Sequence, residues 1–250
     1  MRIDHIYRYP VKGLSPEALE LTSVAAGGAI PWDRAFALAQ GDAPFDATAP
    51  AWIHKTNFMC LMANARIAAL RSHFDTHDKM LTIVAPDGTS VAASPLHAAG
   101  RAALTDWLTT FLGDEARGQP QFYHIPGYVF GDQRSPVVSL LNLASLADFE
   151  AKQGAARDKM RFRANVYFSG APAWAENDWV GREIMVGGAR LRVTKRTVRC
   201  PATQVNPATA ERDANPVLEL KALFGHSDLG VHAEVIEGGS MALGDAVVVL

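Results

Sequence analysis

Most of the chain reads as short runs of apolar and polar residues bounded by Gly, Pro, Asn or Asp, the pattern of strands joined by turns. Residues 2–11 carry Ile3, Ile6, Tyr7, Tyr9 and Val11 and stop at Lys12-Gly13, which predicts a strand followed by a loop. Ala18 to Val24 predicts a second strand, and Ala35 to Ala39, behind Trp32-Asp33-Arg34, a third. Residues 41–57 are rich in Pro, Asp and Ala and predict a long surface loop. Residues 61–71 read as a strand, although their alanines leave a helix open. Leu81 to Val84 and Ser90 to Ala92 flank Ala85-Pro86-Asp87-Gly88-Thr89, a hairpin signal.

Three stretches switch to a helical period. Leu104, Trp107, Leu108, Phe111 and Leu112 form one apolar stripe, with Ser94 as the expected cap, Pro95 in the first turn and Gly113 as the stop. Asn142 caps a second helix through Leu143, Leu146, Ala147 and Phe149 to Gly154, after an apolar run over Pro136 to Leu141. Asn215-Pro216 opens a third, through Leu218, Leu220 and Leu223 to Gly225. Strands are expected over Arg161 to Phe168, Val231 to Ile236 and Ala246 to Leu250, with a hairpin joining Ile184 to Val186 and Leu191 to Val193. The sum is an α+β protein, mainly β, with barrel-like mixed sheets and a few helices. Glycines, prolines and charges over residues 113–135 mark the candidate boundary between two halves.

Composition narrows the function classes. The 250 residues are 48% hydrophobic and 20% charged, an ordinary globular balance. A formal net charge of −2 argues against nucleic acid or an anionic membrane as a partner. No stretch approaches the roughly 18 uncharged apolar residues of a membrane span, and the N-terminus lacks an apolar signal core. Two cysteines, Cys60 and Cys200, make no disulfide framework and cannot supply four thiolates to an iron–sulfur cluster. A reducing compartment, the cytoplasm, is the expected location. There is no phosphate-binding glycine loop, no Cys-x-x-Cys, no histidine pair at metal spacing and no Gly-x-Ser-x-Gly elbow.

The chemistry concentrates at Thr194-Lys195-Arg196-Thr197-Val198-Arg199-Cys200-Pro201. The β-branched run predicts a strand that delivers Cys200 to a loop, and the neighbouring Arg199 is expected to favour thiolate. A buried cysteine acting as a small hydrophobe stands beside that reading. Lys12, Arg34, Ser135, Arg163, Asn165 and Arg199 also fall at expected strand ends. Each alone is an ordinary surface or capping residue. Together with the thiol they describe a cationic pocket suited to an anionic, phosphate-bearing ligand and a soft metal.

Tyr9-Pro10-Val11-Lys12-Gly13-Leu14 and Trp32-Asp33-Arg34 resemble the N-terminal β-barrel region of MOSC proteins. Phe162-Arg163-Ala164-Asn165-Val166, Glu176-Asn177-Asp178-Trp179, Arg199-Cys200, Val205 to Thr209 and Leu223-Phe224-Gly225 resemble the MOSC domain itself. The ordered set, running nearly end to end, is similar to the amidoxime-reducing MOSC proteins of mitochondria and bacteria. The resemblance implies an N-terminal β-barrel region over 1–115 and a MOSC domain over 116–250. It implies a molybdenum cofactor in its molybdopterin form, with Cys200 as the catalytic metal ligand. Lys12, Arg34, Ser135, Arg163, Asn165 and Arg199 would then bind the cofactor. The implied activity is reduction of small N-hydroxylated compounds (amidoximes, hydroxylamines, N-hydroxy bases), independent of pyridoxal phosphate. Electrons would come from an external flavin or iron–sulfur protein, since the chain has neither a dinucleotide fingerprint nor a flavin motif. A carrier of the cofactor, or of a persulfide on Cys200, is the alternative. Two departures stand out. Arg134 adjoins Ser135 where an aspartate is common, with Asp132 further off, and Gly13-Leu14 stands where some relatives have a serine.

Overall fold

A computed structural model describes all of residues 1–250. In chain order the strands are β1 (Arg2–Arg8), β2 (Glu17–Leu19), β3 (Leu21–Val24), β4 (Phe36–Ala39), β5 (Arg71–Asp75), β6 (Met80–Val84), β7 (Ser90–Ala93) and β8 (Gln121–His124). They continue as β9 (Val138–Asn142), β10 (Val166–Ser169), β11 (Glu183–Val186), β12 (Ala189–Val198), β13 (Asp228–Glu237), β14 (Gly239–Ala242) and β15 (Val247–Val249). The helices are α1 (Ala98–Leu112), α2 (Leu143–Gln153) and α3 (Pro216–Phe224). The class is α+β, mainly β, as the sequence pattern implies.

Eight strands form one curled sheet in the order β15-β11-β12-β13-β9-β10-β1-β2. Only β9 and β10 run parallel in it; the other neighbours are antiparallel. Its curl brings β1 to the chain entering β15, where the Ile3 N–H donates to the Asp245 carbonyl at 2.9 Å and the Val247 N–H to Met1 at 3.0 Å. Smaller sheets pair β3 with β14, β4 with β8, and β5, β6 and β7 in sequence. The apolar interior forms two main clusters. One lies against the large sheet, around Ile6, Val138, Phe168, Leu191 and Val231. The other lies under α1, around Phe36, Phe74, Leu81, Leu104 and Leu108.

The helix signals held at two of three N-termini. Asn142 accepts from the Ala144 N–H and Asn215 from the Leu218 N–H, and Gly154 and Gly225 end their helices in the left-handed conformation. The first helix departs from expectation. It starts at Ala98 with His97 at the cap, and Ser94 to His97 form a turn whose Ser94 carbonyl accepts from the His97 N–H at 3.3 Å. Two expected strands also fail. Residues 61–69 form turns and a 3-10 helix, Ala65–Ala69, and extended structure begins only at β5. Lys159–Phe162 is a 3-10 helix and Arg163 is left-handed, so that strand begins at Val166. In both, apolar residues that read as a strand are buried one at a time beneath turns. Strands β8 and β14 carry no independent signal and exist because β4 and β3 offer them edges.

Candidate active site

Residues from both ends of the chain line one cleft of about 360 Å³. Lys12, Arg34, Ser135, Arg163, Asn165, Arg199 and Cys200 all border it. Seven cationic side chains line it against two carboxylates, Asp33 and Asp132, in a chain whose net charge is −2.

Strand β12 delivers Cys200. The strand ends at Val198, Cys200 keeps an extended backbone, and Pro201 opens a 3-10 helix over Pro201–Gln204. The Thr203 N–H and hydroxyl both donate to the Cys200 carbonyl, at 3.0 and 2.9 Å, which fixes the turn. The thiol is half-buried, and the cation that meets it is Lys55, whose Nζ lies 3.1 Å from Sγ. Arg199 does not serve that role. Its guanidinium is buried and donates to the Phe162 carbonyl at 2.8 Å and to the Leu229 carbonyl. Alternation along the strand explains the difference, since consecutive residues face opposite sides. Burial pulls the Arg199 guanidinium down to about 10. The other cysteine, Cys60, is buried beside the cleft, and burial pushes its thiol up.

Lys55 belongs to the loop that the sequence marks only as surface. Phe45 and Ile53 of that loop pack with Ala37, Ala39, Phe58 and Phe130, which holds it over the cleft. Asp132 bridges two lysines: Lys12 Nζ donates to its Oδ1 at 2.5 Å and Lys55 Nζ to its Oδ2 at 3.2 Å. Burial opposes the charge on Asp132, but the two lysines outweigh it and hold the carboxyl well below the usual range. Burial likewise opposes the charge on Lys55, and Asp132 and Cys200 outweigh it to raise the ammonium. Lys12 also donates to the Phe130 carbonyl at 3.0 Å.

A second group of charges surrounds Tyr9. The Arg34 and Arg163 guanidinium carbons lie 4.9 and 4.2 Å from its ring centroid. Asp33, buried beneath, pairs with Arg34 and accepts from the Tyr9 N–H at 2.7 Å. Arg34 reaches the Arg163 carbonyl at 3.3 Å, and Arg163 reaches the Leu14 carbonyl at 2.8 Å. Both arginines have positive φ, 52° and 50°, an arrangement that non-glycine residues keep only where the surroundings enforce it. Burial pulls Arg163 down to about 10.

The remaining expected residues divide. Asn165 is buried and fully engaged: its Oδ1 accepts from the Ser139 N–H and hydroxyl, and its Nδ2 donates to the Tyr7 carbonyl. It ties β9 to β1 behind the cleft wall. Ser135 is exposed at the rim, and its hydroxyl makes no hydrogen bond within the protein. Sequence reasoning missed Lys55, Arg161 and His232. Arg161 donates to the Gln204 carbonyl at 3.0 Å and pairs with Asp213, bracing the turn after Cys200. His232 on β13 lies opposite Ser139 of β9 and Lys195 of β12. Nothing in the local sequence separates these three from ordinary surface or strand residues.

Several buried polar atoms on lining residues have no partner: Arg161 Nε, Arg199 Nε, Thr197 Oγ1 and His232 Nδ1. Such atoms are costly unless satisfied. With the excess of cations, they fit an anionic ligand rich in hydrogen-bonding groups. No three His, Cys, Asp or Glu side chains converge on a metal position. A metal held by Cys200 therefore needs further ligands from the group that carries it.

Fold and cleft together define a mainly β protein with a half-buried thiol, met by Lys55, on the wall of a cation-lined cleft. The chain is a MOSC-domain protein: the MOSC N-terminal beta barrel domain matches residues 1–115 and the MOSC domain matches residues 127–248. It is 27% identical over 207 residues to Mitochondrial amidoxime-reducing component 1 of Homo sapiens, an alignment covering 70% of this chain and 61% of that protein. It is 30% identical over 125 residues to Mitochondrial amidoxime reducing component 2 of Bos taurus, covering 45% of this chain and 36% of that protein. The chain thus spans less than two thirds of these relatives' own length. Among solved structures, the YUAD protein from Bacillus subtilis aligns over 98% of this chain and 93% of its own, with a TM-score of 0.45 and 13% identity. No helix is long and apolar enough to cross a membrane.

Proposed function

We propose that this protein holds a molybdenum cofactor in the cleft and reduces small N-hydroxylated compounds. The observation that carries the reading is the half-buried Cys200 thiol on the wall of a cleft lined by seven cations. A thiolate is a soft donor suited to a metal already bound by sulfur. The names of the relatives, amidoxime-reducing components, point to the substrate class.

Cys200 would be the protein's ligand to the metal. Arg34 and Arg163, splayed over Tyr9, would meet the cofactor's phosphate and pterin, with Lys12 beside them. Ser135, exposed at the rim, has a free hydroxyl to offer. Asn165 and Arg199 act one layer back, by fixing the wall and the turn that carries Cys200. When bound, the cofactor supplies two-electron chemistry that, with two protons, turns an N-hydroxyl group into N–H and water. Lys55, donating from beside the thiol, is placed to orient or protonate an oxygen leaving that face. The electrons would come from an external flavin or iron–sulfur protein, and the cytoplasm is the proposed compartment.

The test is metal and pterin analysis of the purified protein, followed by benzamidoxime turnover with an artificial reductant. Molybdenum and pterin bound near one per chain, with formation of benzamidine, is the expected result. Cofactor without turnover would assign transfer or storage instead. Absence of both, after expression in a host that makes the cofactor, would sink the proposal. X-ray absorption at the molybdenum edge should show one more sulfur neighbour in wild type and Cys60→Ser than in Cys200→Ser.

A further inference from the structure

We infer that Arg134 anchors the substrate and makes the cleft select N-hydroxylated compounds that also carry an anionic group, a carboxylate or a phosphate. This rests on the proposed reduction for the fate of the substrate, and on the rim alone for its recognition.

The rim is formed by two loops stitched together. Tyr128 Oη donates to the Ala51 carbonyl at 3.0 Å, Lys55 pairs with Asp132, and the Arg134 guanidinium lies 5.3 Å from the Trp52 ring centroid. The ion pairs of the cleft join Lys12 and Lys55 to Asp132 and Arg34 to Asp33, and none includes Arg134. Arg134 thus presents a charged donor fork with no carboxylate facing it. Contact with the indole holds the guanidinium near the rim, which lowers the ordering cost of a bidentate contact.

The acid that could have attracted a cationic substrate is spent. Both Asp132 oxygens are taken by lysines, so an amidinium entering the cleft meets no free carboxylate. An anion entering the cleft can meet the exposed Arg134, which lines the same cleft as Lys55 and Cys200. Arg fits carboxylate and phosphate alike, and both are shapes its two parallel N–H bonds match.

The experiment titrates the cofactor-loaded protein calorimetrically with benzamidoxime, its 4-carboxylate and its 4-phosphonate, at low and high salt. Wild type, Arg134→Gln and Arg134→Lys are compared. An anionic analogue should bind about tenfold or more tighter than the neutral parent, the gain expected of one charge-assisted bidentate contact. That preference should shrink with salt, fall to near unity in Arg134→Gln and return in part in Arg134→Lys. Comparison of the two anions identifies which group the rim prefers. If neither anion gains, or if the preference survives unchanged in Arg134→Gln, the inference is overturned. An arginine that merely covers Trp52 would shift the melting temperature in Arg134→Gln without moving the preference. Turnover is followed in the same samples, so an anion preference without product would remove the reductase reading and leave the anchor standing.

Discussion

Lys55 Nζ lies 3.1 Å from the Sγ of Cys200, joining residues 145 positions apart in sequence. The contact places a flexible cation against the proposed metal ligand, while Arg199, its neighbour in the chain, points to carbonyls on the other side of the strand. The two thiols consequently sit in different surroundings. Cys200 is half-buried and opens to the cleft, whereas Cys60 is only 6% exposed and its thiol is pushed up by burial.

Iodoacetamide should therefore label the two cysteines unequally in the cofactor-free folded protein. Peptide mapping should find the label on Cys200 and little on Cys60, with both labelled in denaturant. Equal labelling in the native state would show that residues 57–64 open readily, contrary to the packing of Met59, Cys60 and Leu61.

Arg34 is tied to a buried carboxylate, which shapes what its removal does. Arg34→Ala strips the partner from Asp33, itself 3% exposed, and should cost up to roughly 3–5 kcal/mol of stability. Cofactor affinity should fall about tenfold or more if the guanidinium meets phosphate. The pair of substitutions Asp33→Asn and Arg34→Ala should recover much of the stability and none of the occupancy. Pterin content at limiting cofactor, measured alongside urea unfolding, separates the two effects. Recovery of both together would mean that Arg34 serves the fold alone.

What the sequence made legible follows from how each residue reaches the cleft. Cys200 and Lys12 sit just beyond the ends of segments whose patterning is local, so a reading of strands finds them. Arg163 was legible by its motif and not by the strand expected around it. Lys55 sits in a loop with no period, and only the packing of Phe45 and Ile53 against Phe58 and Phe130 sets its position. Arg199 was legible as a cation beside a thiol, but not the direction of its side chain. Its partners, Phe162 and Leu229, come from distant segments. Strand β8 was lost for the same reason: Gln121 to His124 are extended because β4 pairs with them.

Gly13, in the loop after β1, is glycine for a steric reason. Its φ is +87°, and an added Cβ would lie 2.8 Å from Ile67 Cδ1 and 3.2 Å from the Met59 carbonyl oxygen. Gly13→Ser should therefore destabilise the fold by about 1–3 kcal/mol through strain in the left-handed backbone and displacement of Ile67. Ile67→Val with Gly13→Ser should recover part of the loss by vacating the methyl that Cβ meets. Urea unfolding measures both. A neutral Gly13→Ser would show that this loop shifts freely, and a serine hydroxyl could then be offered to the cofactor.

His232 gives the cleft a pH signature. It faces Lys195 and Ser139 on its neighbouring strands, and its Nδ1 is buried without a partner. Burial, then Arg199, Lys195 and Arg34, lower its pKa from 6.5 to about 3, against a weaker opposing pull from Asp132. The folded protein keeps the imidazole neutral, while the unfolded chain takes up a proton below pH 6.5. Stability from this residue is thus complete above that pH and is lost as pH falls toward 3. Each unit of pH in the window removes at most about 1.4 kcal/mol. Between pH 7.5 and 5 the wild type should lose up to about 2 kcal/mol more than His232→Gln, whose amide does not titrate. Parallel unfolding curves for the two proteins isolate this residue from the carboxylates, which titrate alike in both. If the difference between them stays constant with pH, His232 is not the group that resists protonation, and the burial and cationic surroundings assigned to it are wrong.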